Sequence, residues 1–137
     1  MNCSNHPGNG MKAWSVAGLV IAVLAAPLAS RAAEQVNWDA QGGSSAVFAV
    51  GSKANFEVCT HLKQGQRVVW AFVAQAPLDF SIRNPQTKEV VASSSRNAAL
   101  EARDALVPAR EQDYCWSWTN RSGQSTQVSV QLRRNQP

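Results

Sequence analysis

The chain has 137 residues, with 13 Lys and Arg against nine Asp and Glu, three cysteines and five tryptophans. That length holds one domain large enough for a hydrophobic core, in the size range where a covalent staple helps. The basic residues form no stripe interleaved with aromatics, and Arg133-Arg134, the only basic doublet, stands at the fraying C-terminal end; nucleic-acid binding is therefore excluded.

Residues 1–10 (MNCSNHPGNG) read as an upstream extension, because Met11 followed by Lys12 makes the more conventional start. Residues 11–32 have the form of a secretory signal: a basic n-region at Lys12, an apolar run from Val16 to Ala26, Pro27, and small residues at Ser30 and Ala32 before the cut. Cleavage before Ala33 predicts a periplasmic or extracellular protein with no further membrane attachment. Left uncut, the apolar run would act as an N-terminal anchor. No cysteine stands near the cleavage point to carry a lipoprotein anchor.

Cys3, Lys12 and Arg31 leave with the leader, so eleven of the 13 basic residues remain against nine acidic ones. Cys59 and Cys115 remain too. Two cysteines in an oxidising compartment predict one structural disulfide.

Residues 33–45 are polar and Gly-rich and predict a flexible lead-in. From there to residue 134 the period is two. Ala46–Val50 ends at Gly51-Ser52, and Asn55–Cys59 alternates with Phe56 and Val58 on one face. Lys63-Gln-Gly65 is a turn. Arg67–Val73 is apolar on both faces, as a central strand would be, and Ala76-Pro77 breaks it.

Leu78, Phe80 and Ile82 alternate inward, Asn84-Pro85 starts a turn, and Glu89–Ala92 predicts the second arm of a hairpin. Asn97–Leu106 has helix-favouring composition, yet Leu100, Ala102, Asp104 and Leu106 keep one strand phase, so a strand is predicted. Tyr114, Trp116 and Trp118 share one face of the next strand, Asn120–Gly123 is a turn, and Gln127–Leu132 alternates to the end. About eight short strands without a helix predict an all-β antiparallel β-sandwich over residues 46–134.

The order Phe56-Glu-Val-Cys59, Leu78-Asp-Phe-Ser-Ile-Arg-Asn-Pro85, Tyr114-Cys-Trp-Ser-Trp-Thr-Asn120 and Ser125–Leu132 resembles the GOLD domain of the emp24/gp25L/p24 family of transport-vesicle proteins. The resemblance spans residues 54–133. It implies a GOLD/jelly-roll-like sandwich, a Cys59–Cys115 bridge and protein–protein interaction. The coiled coil, transmembrane helix and coat-binding tail of that family have no counterpart up to Pro137, so its cargo-receptor role is not implied. The pre-peptidase C-terminal domain shares the Gly turn, the apolar strand and Leu-Asp-x-x-Ile, and ranks second because it gives no reason for the two cysteines.

Catalytic chemistry finds little support. His61 is the only histidine after residue 33, and no Gly-x-Ser-x-Gly elbow, paired carboxylates or Gly-rich phosphate loop accompany it. A zinc site would need about four ligands, and there is no Cys-x-x-Cys; no metal or cofactor is predicted. Trp38, Trp70, Trp116 and Trp118 are a generous supply. Trp70 and Trp116 suit a core, while Tyr114, Trp116, Trp118 and Trp38 are also the candidates for an exposed aromatic face that stacks on a glycan. Asn120-Arg-Ser122 fits the glycosylation sequon and equally an ordinary turn. The functional expectation is a non-enzymatic exported module that binds an unidentified protein, with a carbohydrate-binding or pre-peptidase C-terminal-like β-sandwich using a tryptophan face as the alternative.

Overall fold

A computed structural model describes Gly18 and residues 33–135. The predicted upstream extension, 1–10, and signal, 11–32, lie outside the described residues apart from Gly18. Arg31–Pro137 form a unit of their own.

The described residues of this unit form seven strands: β1 Glu34–Gln35, β2 Gly43–Val50, β3 Asn55–Leu62, β4 Val68–Arg83, β5 Arg96–Leu106, β6 Gln112–Thr119 and β7 Thr126–Arg134. Their hydrogen-bonded order is β1-β3-β6-β4-β7-β2, with β5 on β4. All pairs are antiparallel except β1 with β3.

The 16-residue β4 decides the architecture. Its first half, Val68–Ala74, pairs with β7, and its second half, Asp79–Arg83, pairs with β6. One strand thus belongs to two layers. The front layer is β1, β3, β6 and the second half of β4; the back layer is β2, β7, the first half of β4 and β5. β5 follows β4 round the corner, pairing with Val68–Val73 and then, past a register shift, with Leu78 and Phe80. The result is a sheet curled on itself, a sandwich closed along one side.

The sequence predicts a break at Ala76-Pro77, whereas the chain continues as strand through Pro77. The register shift between Val73 and Leu78 puts the proline, which cannot donate to a ladder, where regular β5 pairing lapses. The predicted hairpin arm at Glu89–Ala92 reduces to a single bridge between Arg83 and Val90. Seven strands therefore stand where about eight were expected.

The lead-in is ordered as well. β1 pairs with β3, and the Trp38 indole donates to Thr60 Oγ1 at 2.9 Å beneath the Arg134 guanidinium, 4.5 Å above its ring. Asp39 Oδ1 accepts the Gly43 and Gln41 amides, which turn the chain into β2. A Cβ at Gly43 would meet Asp39 Oδ2 at 2.9 Å, so a larger residue there would push that carboxylate aside.

Inward side chains follow the period of two. Val58, Leu62, Tyr114, Trp116, Trp118, Leu78, Phe80 and Ile82 come from the front layer; Val50, Val68, Trp70, Phe72, Val128, Val130 and Leu132 come from the back. Phe80 packs on Trp70, Phe72 and Trp118, and Phe72 on Trp118, with centroids 4.8 to 5.7 Å apart in tilted and edge-on pairs, each adding about 0.5–1.5 kcal/mol beyond burial. Against that, the indole N–H groups of Trp70, Trp116 and Trp118 have no partner among the described residues, at about 1–3 kcal/mol each. Net apolar burial outweighs this because each ring removes a large area from water.

Candidate functional site

Cys59 and Cys115 are bonded, directly opposite one another on β3 and β6 with Cα atoms 4.1 Å apart. They lie on the outer side of the front layer. The other aromatic candidates do not form a surface: Tyr114, Trp116 and Trp118 point inward and are buried, and Trp38 is half-buried against the core. The period of two predicts that the three share a face; which face is decided by the back layer, whose Phe72 meets Trp118, and by Phe80 at the turn of β4. An exposed aromatic platform on β6 is thus corrected to core.

Asn120 is buried too. Its amide donates to the carbonyls of Val50 and Gln124, and its Oδ1 accepts from the Ser122 amide and hydroxyl. A side chain so engaged locks two turns together and offers no free amide to a glycan.

The outer front face is polar and paired internally. Glu57 on β3 and Arg83 on β4 flank β6, and their ion pair crosses over it. The Glu57 carboxylate lies within 4.8 Å of the two sulfurs. Bonded sulfurs are not thiolates and the carboxylate is already held by arginine, so this donor set does not fit a metal.

One row further, His61 stands opposite Asp113. Its Nδ1 meets Asp113 Oδ1 at 2.8 Å and its Nε2 meets Glu111 Oε1 at 3.1 Å. Those bonds, Asp113 first, raise the His61 pKa above its ordinary value, while His61 and then Gln86 lower that of Asp113. Both ring nitrogens are thus engaged by carboxylates at the start of β6 and in the turn before it. The imidazole clamps β3 to β6. The sequence singles out His61 but not the clamp, since its partners lie about fifty positions away.

The outer back face differs. Registers place Val47, Ser129, Val73 and Glu101 in one row; Ser45, Gln131, Ala71 and Arg103 in the next; and Gly43, Arg133, Val69 and Ala105 in the third. Val47, Val73 and Val69 are 62%, 57% and 44% exposed. Small side chains leave two grooves either side of Ala71. One of about 520 Å³ runs past Asp39, Ser45, Val69, Gln131 and Arg133, and one of about 440 Å³ past Val73, Glu101 and Arg103. Among the described residues neither Arg103, Arg133 nor Glu101 enters an ion pair. Arg133 and Arg134 do not fray: they pair with Val69 and Val68 of β4. The outer back face is thus open and valine-bearing, whereas the outer front face is covered by ion pairs.

No protein family and no curated protein matches the chain. Among solved structures the fold is similar to PliG of Aeromonas hydrophila, a periplasmic inhibitor of g-type lysozyme, with a TM-score of 0.61 and 7% identity over 75% of this chain and 96% of that one. It is also similar to the pre-peptidase C-terminal domain of a Bacillus anthracis collagenase, with a TM-score of 0.54 and 6% identity over 74% of this chain and 95% of that one. PliG of Salmonella Typhimurium follows, with a TM-score of 0.51 and 14% identity over 74% and 96%. Identities this low establish a shared β-sandwich architecture and leave function to the site.

Proposed function

We propose that the chain is a non-enzymatic binding module of the periplasm or extracellular space, and that it takes a protein partner on the outer back face. The observation that carries this is the exposed set Val47, Val69 and Val73 over two grooves, on the outer face that has no ion-paired cover among the described residues. A partner's apolar side chain can fill the groove over Ala71 while Gln131, Ser45 and Arg133 supply a polar rim, the usual anatomy of an interface. The architecture shared with periplasmic lysozyme inhibitors supports a protein as the ligand class, and the disulfide suits the compartment. The GOLD-like order of residues adds a ground for protein interaction that rests on the sequence alone.

Glycan binding through stacked tryptophans loses its basis, because Trp116 and Trp118 are in the core and the half-buried Trp38 ring is covered by the Arg134 guanidinium.

The test is an inhibition and binding titration against g-type lysozyme, alongside affinity capture from an envelope extract with wild-type and Val69→Glu/Val73→Glu baits. The expected result is a specific partner held by wild type and lost by the double variant, with both baits melting alike. A partner retained equally by the two baits would place binding elsewhere and overturn the assignment of this face.

A further inference from the structure

The free edge of β5 carries a feature that partner binding does not use. β5 pairs with β4 alone, so the backbone N–H and C=O groups on its other side, along Arg96–Leu106, have no strand to meet among the described residues. Open edges are templates for another strand, and proteins blunt them with charged side chains, lysine above all, or with proline. β5 has no lysine or proline, and its charges are Arg96, Glu101, Arg103 and Asp104. Its central residues read Ala99-Leu-Glu-Ala-Arg-Asp-Ala105, and the charges Glu101 and Arg103 sit symmetrically about Ala102. Both project to the outer back face, on which they pair in register with Val73 and Ala71, and neither enters an ion pair among the described residues.

We propose that two copies of this chain associate through antiparallel pairing of β5 with β5, centred on Ala102. In that register Glu101 of each copy lies opposite Arg103 of the other, giving two oppositely charged cross-strand pairs on one face. Ala99 lies opposite Ala105, so nothing bulky obstructs the ladder. Leu100 lies opposite Asp104, whose carboxylate is already engaged by Arg96 and by the Ala105 amide and so brings little unmet charge. Leu100, 51% exposed in the single copy, gains cover from the diagonal Ala102.

The twofold uses the same surface on both copies, so assembly closes at two and uses up the open β5 edge. The back layer becomes a continuous eight-stranded sheet, and the grooves beside Val73 approach one another across the axis. This inference goes beyond the proposed partner binding and does not depend on it.

Sedimentation equilibrium of the full exported protein tests it, up to about 1 mM, the range of weak specific association. A concentration-dependent dimer is expected. Glu101→Arg and Arg103→Glu, each of which sets like charges opposite one another twice, should each weaken it by about tenfold or more. The combined Glu101→Arg/Arg103→Glu variant restores opposite pairs and should restore the dimer. Both positions are exposed, and matching thermal melts would show that the variants fold. A monomer throughout, a dimer that neither single change weakens, or a double variant as weak as the singles would each overturn the proposal. Lysozyme or envelope-partner binding is read separately, so failure here leaves that reading standing.

Discussion

Cys59 and Cys115 are 56 positions apart and become immediate neighbours across β3 and β6. Closing so long a loop restricts the unfolded chain, and removing such a bridge from a small exported domain costs about 2–5 kcal/mol. Cys59→Ala and Cys115→Ala should each lower stability by that amount, and the double variant should fall no further, since the first change already breaks the bond. Denaturant melts with and without reductant check this; a much smaller loss on reduction would mean that the Glu57–Arg83 cover and the ladder hold the strands unaided.

His61 supplies a second residue-scale expectation, in pH. Its folded pKa is raised above the ordinary 6.5, so its contribution is complete below 6.5 and is lost as pH rises through the folded value. Asp113 is held below 3.8, so its contribution is present above 3.8 and is lost as pH falls through its lower folded value. The clamp therefore works best between these limits. NMR titration should show the His61 ring titrating above 6.5, and Asp113→Asn should return it toward that value; an unchanged midpoint in the variant would show that Asp113 is not the main cause. Both groups are solvent-facing, so the effect on melting is small.

At the scale of elements, the turns are held by asparagines that read as simple turn residues. Asn84 Oδ1 accepts the amides of Gln86 and Thr87, as a predicted Asn-Pro turn requires. Asn120 does more, because its buried amide joins the end of β2 to the β6–β7 turn through the Val50 and Gln124 carbonyls. Asn120→Ala leaves the buried Val50 carbonyl and the part-buried Gln124 carbonyl short of a donor and should cost about 1–3 kcal/mol. Expression in a glycosylating host should leave the folded protein unmodified at this position. Quantitative occupancy by mass spectrometry, with the melt unchanged, would contradict its burial. The β4 bend belongs to the same scale. Pro77 ends regular pairing as its chemistry dictates, yet the flanking apolar runs, Val68–Ala74 and Leu78–Ile82, each still need a partner, so one strand serves both layers.

For the whole molecule, the two layers have opposite exteriors. The front is a paired polar surface over a disulfide; the back is grooved, with exposed valines set among polar and charged side chains that form no ion pair among the described residues. Function is proposed for the side whose surface is not already satisfied by its own contacts. Export belongs to this scale as well. If residues 11–32 are a cleaved leader, the intact mass of the exported protein should correspond to a chain beginning at Ala33; a mass retaining the Val16–Ala26 run would indicate an N-terminal anchor instead.

Alternation in Asn55–Cys59, Leu78–Ile82, Tyr114–Trp118 and Gln127–Leu132, with turn residues between, is enough to specify an all-β sandwich. Period two is a property of local backbone geometry and is written in neighbouring residues. An even cysteine count behind a predicted export signal is likewise enough to predict the bridge. Local alternation yields two faces without saying which is inside, so the burial of Tyr114, Trp116 and Trp118 depends on Trp70, Phe72 and Phe80 arriving from another strand. The ordering of residues 33–45, the His61 clamp and the back-face grooves arise in the same way. Each is made by side chains far apart in sequence, and only the curl of β4 between two layers brings them within reach of one another.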